Sequence, residues 1–178
     1  MSNICDESIP EYADNYCEIN KDAAISAVGI VKKGQTTITD YTDTAQWEAA
    51  IAAGDARVVK GISMDIPDGS AITIDNKRAC GSATVQVGVD YTGTIVDPNV
   101  SVENDDFWAG VNGKSYDIVP FYCREDEIRV ITNGNISARM PQSVGNQNET
   151  QHYNVTINWR KSNSDFGELL NAPAGIFE

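Results

Sequence analysis

Twenty-six carboxylates, four thiols and a single imidazole are the groups in this 178-residue chain with chemistry to offer. The acids bunch as Asp65 with Asp68, as Glu103-Asn104-Asp105-Asp106 and as Glu125-Asp126-Glu127. A calcium loop of the EF-hand kind needs oxygen ligands at alternating positions, a central Gly and a closing bidentate Glu. None of the three clusters supplies that pattern, and 103–106 reads as a solvated turn rather than a calcium loop. The thiols are Cys5, Cys17, Cys80 and Cys123, with no C-x-x-C pair and no Cys/His spacing of the zinc type. A Ser or Cys nucleophile needs a positioned base. The only imidazole, His152, opens a strand on its polar face and reads as an exposed strand residue, and no G-x-S-x-G is present. Carboxylate-pair hydrolysis has many pairs to draw on, but no local feature selects one. The 14 glycines are spread through turns rather than gathered in a phosphate loop. The expectation is a chain with no catalytic residues, no metal and no cofactor, hence not an enzyme.

The charge is lopsided, with 26 acidic against 13 basic residues and a net −13. Binding to a phosphate backbone needs clustered Lys and Arg. Here they are scattered, so nucleic-acid recognition is disfavoured and the acidity reads first as solubility. No run of 18 apolar residues exists, so no membrane span is expected. The first residues, MSNICDESIPEYADNYCEIN, lack the basic start and apolar stretch of a secretory signal. Synthesis in a cytosol is therefore expected, with a mature start at or next to Met1. Under that reading buried free thiols are the default. A Cys5–Cys17 disulfide is the alternative for an assembly that ends up outside a cell. The triplets at Asn135, Asn148 and Asn154 match a glycosylation pattern but carry little weight without an export signal.

The elements that must position these groups are mainly strands. Gln151–Trp159 alternates, with Tyr153, Val155, Ile157 and Trp159 on one face and His152, Asn154, Thr156 and Asn158 on the other. Ile72/Ile74, Val85/Val87/Val89/Tyr91 and Ile128/Val130 repeat the pattern. Strands are expected at 23–33, 35–41, 56–60, 70–75, 83–91, 94–102, 115–123, 126–132 and 151–160. Turns fall at Pro67-Asp68-Gly69, Tyr91-Thr92-Gly93, Asp97-Pro98-Asn99, Asn112-Gly113 and Asn133-Gly134. One helix is expected over DTAQWEAAIAAGD, with Asp43 as N-cap, Gln46 completing a capping box and Gly54 as the left-handed stop. Its Trp47, Ala50 and Ile51 share a face and dock on a sheet. Trp108 reads as a loop residue. The expected core is Trp47, Ile51, Val85, Val87, Val89, Tyr153, Val155, Ile157 and Trp159.

The fold class that follows is mainly β, a sandwich or barrel with one short docked helix. Its organisation is an N-terminal arm over 1–22, a β-domain over 23–160 and an apolar C-terminal tail over 161–178. Residues 138–150 form a long polar loop of the kind that is functional or disordered. The tail's Phe166, Leu169, Leu170, Ile176 and Phe177 need cover, from their own domain or from a neighbouring subunit.

Three features together carry a resemblance: the arm CDESIPEYADNYC, the Trp-bearing helix in ITDYTDTAQWEAAI, and the closing strand YNVTINWRK with its apolar tail. The chain resembles virion structural proteins of tailed bacteriophages, especially small proteins from phages of Bacteroidetes hosts, and within them tail tube proteins. Head decoration or head–tail connector proteins are the nearest competitor. The tube resemblance implies hexameric rings that stack into a conduit, with terminal arms and long loops between rings. It implies partners that are other copies of the chain and other virion proteins. DNA enters only as non-specific cargo passing an acidic lumen.

Overall fold

β-Branched and aromatic residues alternate with polar ones over most of the chain, and that period drives it into strands. The computed structural model describes residues 25–78, 81–122, 127–139, 151–162 and 167–175, with the backbone alone for 76–78 and 81–83. In chain order the elements are β1 (Ile25–Lys32), α1 (Thr44–Ala53), β2 (Ala56–Asp65), β3 (Ser70–Arg78), β4 (Gly81–Asp97), α2 (Val102–Val111), β5 (Ser115–Tyr122), β6 (Glu127–Ala138), β7 (Tyr153–Ser162) and β8 (Glu168–Asn171). All pairings are antiparallel, in the order β2-β1-β5-β6-β7-β4-β3. A further pairing of β2 with β4, at Ser63–Asp65 against Thr94–Val96, joins the ends of that path. Six strands thus close into a barrel, with the closing ladder covering β2 over Ser63–Asp65 only. The hairpin arm of β3 with the first half of β4 projects from it, and β8 adds to β6 beside the end of β7.

The interior holds Val28, Ile30, Ile95, Ile118, Ile131, Ile136, Tyr153, Val155, Ile157 and Trp159, with Trp108 and Val111 of α2. A second core lies outside the wall, where Ala27, Val31, Val119, Phe121 and Ile128 meet Trp47 and Ala50 of α1. Strand β1 is therefore covered on both faces. Gly29 makes this possible: a Cβ there would lie 2.6 Å from Trp47 Cη2 and 3.3 Å from Phe121 Cε2. The bare backbone lets the indole rest on the strand.

α1 forms as its ends dictate. Asp43 accepts from the Ala45 amide, and Gly54 is left-handed at φ 78°. Gln46 does not close the expected capping box, since the Asp43 amide donates to the Asp40 carbonyl. Its Nε2 donates to Asp43, while its Oε1 accepts from the Thr39 and Asp40 amides. That staples the incoming loop to the helix, so 35–41 is a run of turns rather than the expected strand. Ile38 is buried there, its amide held by Gln35 Oε1.

Four further expectations are corrected. Residues 94–102 do not form one strand: β4 ends at Asp97 and a second helix, α2, follows. Ser101 caps it by accepting from the Asn104 amide. Trp108 is thus a buried helical residue rather than a loop one. Tyr91-Thr92-Gly93 and Asn133-Gly134 are not turns; β4 and β6 run through both. Val85 and Val87 are exposed, at 43% and 41%, and Val89 and Ile51 are only half-buried.

Candidate functional site

The hairpin arm follows directly from how β4 packs. A Cβ at Gly88 would lie 2.7 Å from the Lys161 carbonyl oxygen, so β4 and β7 approach closely where β7 ends. Before Gly88, β4 has β3 as its only strand partner, and β3 has no strand on its outer side among the described residues. Ile74 stands directly across from Val85, and the ladder slips at Val87, an extra residue opposite the Ile72–Thr73 step. Of six exposed large hydrophobics among the described residues, three are Ile74, Val85 and Val87. Apolar side chains thus stand beside a backbone edge with no strand partner among the described residues, the combination that templates pairing with another chain.

The tail residues split. Leu170 is half-buried against the outer core beneath α1, and Leu169 is exposed at 48%. β8 holds them by pairing Glu168–Asn171 with Glu127–Val130. Phe166, Ile176 and Phe177 lie outside the described residues, as do the N-terminal arm with Cys5 and Cys17, and Cys80, Cys123 and residues 140–150.

A hydrogen-bonded polar cluster sits at one barrel end. Asp97, 1% exposed, accepts from Trp108 Nε1 at 2.9 Å and from the amide and Nδ2 of Asn99. Tyr153 donates to Asp105 Oδ1 at 2.8 Å, and burial together with that carboxylate pushes its phenol up. Each group here bonds to a neighbour, which ties α2 into the barrel mouth. His152 is half-buried one residue before β7, not exposed, with Nε2 3.3 Å from Asn154 Nδ2.

Elsewhere Asp90 accepts both Nε and Nη2 of Arg160 across the β4–β7 ladder, and this holds its carboxyl below the usual range. Tyr41 is pushed up to about 12, chiefly by burial, with the Asp117 carboxylate adding to it. Among the described residues no group of His, Cys, Asp and Glu gathers to hold a metal, and no helix is long and apolar enough to cross a membrane.

Sequence reasoning found the alternation in β3 and β4 but placed its apolar face inside. The signal for the long strand was the alternation from Ala83 to Tyr91 resuming in register at Ile95 beyond Gly93. Comparison of the chain with protein-family models, curated proteins and solved structures gives no match.

Proposed function

We propose that this chain is a non-enzymatic structural subunit of a tailed-phage virion, a tail tube protein that polymerises into stacked rings through which DNA passes. The observation that carries the self-assembly is the hairpin arm, where Ile74, Val85 and Val87 are exposed beside the open edge of β3. Such an edge is a hazard for a chain meant to stay alone and a tool for one meant to pair. The net charge of −13 supports passage of DNA, since a carboxylate-rich wall repels phosphates. The phage assignment itself rests on the resemblance of the arm, the Trp-bearing helix and the closing strand.

One observation favours the second reading, a head decoration or connector protein. The barrel closes within one subunit through Ser63–Asp65 and Thr94–Val96, whereas a lumen sheet continuous around a ring draws on open sheets. Negative-stain electron microscopy with solution mass separates the two. Rings or striated tubes with a central channel are the expected result, and Ile74→Lys with Val85→Lys abolishes them while leaving a folded monomer. A uniform monomer or trimer that binds capsids instead establishes the decoration reading.

A further inference from the structure

Although the chain is strongly acidic, five of its 13 Lys and Arg residues gather on one side of the barrel. Lys32, Lys33, Arg57 and Lys114 line a cleft of about 440 Å3. It adjoins a second of about 390 Å3 lined by Arg57 and Lys60, and Phe107 of α2 reaches both. Two acids face this ground, and both are engaged: Asp55 pairs with Lys32 at 3.6 Å, and Asp97 serves Trp108 and Asn99. The cleft exists because β4 pairs with β2 over three residues only before turning into α2. Over Ala56–Lys60, β2 has β1 as its one strand neighbour among the described residues. This stretch of β2, whose Ala56 and Lys60 carbonyls accept from Arg57 Nη1 and Asn99 Nδ2, therefore borders a cationic rim with an aromatic floor, which suits an acidic segment carrying apolar side chains.

The chain contains one outside the described residues. Between Asp6 and Glu18 it carries five carboxylates and no Lys or Arg, interleaved with Ile9, Tyr12 and Tyr16. The stretch lies ahead of Ile25, the first residue of β1, while Lys32 at the end of β1 borders the cleft. Returning along β1 spans roughly 23 Å at ~3.3 Å per residue, about seven residues of extended chain. The residues from Glu18 to Ile25 cover that distance, so the acidic segment is within tethered reach of the cations. Tethering on the same chain supplies an effective concentration in the millimolar range.

We propose that the cationic cleft between β2 and α2 is the docking site of this chain's own acidic segment, Asp6–Glu18. The docking does not depend on the virion reading. Hydrogen exchange on the full chain, read by mass spectrometry, tests it. At low salt the amides of 6–18 are expected to exchange about tenfold or more slowly than in a free peptide of the same sequence. High salt and Lys33→Glu with Lys114→Glu both remove that protection, while protected barrel amides report that the fold is intact. Glu11→Lys with Asp14→Lys removes it from the other side, independently of the cleft. Exchange at the free-peptide rate overturns the proposal, as does protection indifferent to these charge reversals. Protection that rises with protein concentration also overturns it, because the occupant would then come from a second copy.

Discussion

Strand β4 passes through two environments, and its two halves differ in fate while sharing a pattern. Ile95 lies at zero exposure inside the barrel; Val85 and Val87, on the same strand in the same alternation, are exposed. Residue type does not decide between them. What decides is whether a second layer stands opposite. The far half faces β1, β5 and β6 across a closed cylinder, whereas the near half has only β3 beside it. β1 is the other extreme, with the barrel interior on one face and Trp47 on the other. Alternation specifies that a face is apolar; topology specifies what covers it.

Substitutions in the two halves should therefore separate widely. The largest effect is expected at Trp159, which stacks on Tyr91 at 5.3 Å and 12° inside the barrel. Trp159→Ala should cost ~3–5 kcal/mol in denaturant unfolding, enough to unfold a domain of ordinary stability. Unchanged melting would remove this side chain from the core. Gly29→Ala comes next, since the new methyl meets Trp47 and Phe121; overpacking of this kind costs ~1–3 kcal/mol. Pairing it with Trp47→Ala should shrink the penalty, and plain additivity would break the assignment of the clash. Val85→Thr should move the stability of the isolated subunit by less than about 0.5 kcal/mol while weakening assembly. A loss as large as that at Trp159 would show the hairpin face to be covered within one chain.

The last effect shows only at high pH and is absent near neutrality. Tyr41 keeps its proton to about 12 when folded, against 10.0 for the ordinary phenol. Between those values the unfolded chain has lost a proton that the folded chain retains, so stability falls as pH rises. Tyr41→Phe should flatten that slope above pH 10, with any loss at neutral pH limited to the contact with Asp117.

Much of the barrel was legible because its strands alternate cleanly, β7 above all. α1 was legible from its ends, Asp43 and Gly54. α2 was not, because its apolar residues Phe107, Trp108 and Val111 crowd into its last turns, and its first turn carries Glu103 and Asp105. Charge there resembles a solvated turn, although acids in a first helical turn also suit the helix dipole. The mistaken turns at Gly93 and Gly134 share one cause. A Cβ at Gly93 would lie 3.1 Å from Met64 Cε, and one at Gly134 would lie 2.6 Å from Ile118 Cγ1. Both glycines relieve crowding inside a narrow cylinder, and a sequence gives that role no mark distinct from a turn. The hairpin face was seen as apolar, but its exposure depends on strand order, which alternation does not encode.

The pairing of β2 with β4 involves three residues on each side, whereas β4 and β7 match over ten. Topologically the molecule is a ribbon whose two ends meet at a short clasp. Each ladder hydrogen bond contributes only about 0.5–1.5 kcal/mol net, so the clasp is the weakest stave joint in the wall. Releasing it leaves every other strand neighbour in place and turns a cylinder into a curled sheet with two fresh edges. Hydrogen exchange across Ser63–Asp65 faster than in the ten-residue β4–β7 ladder is the expected sign of that unrolling.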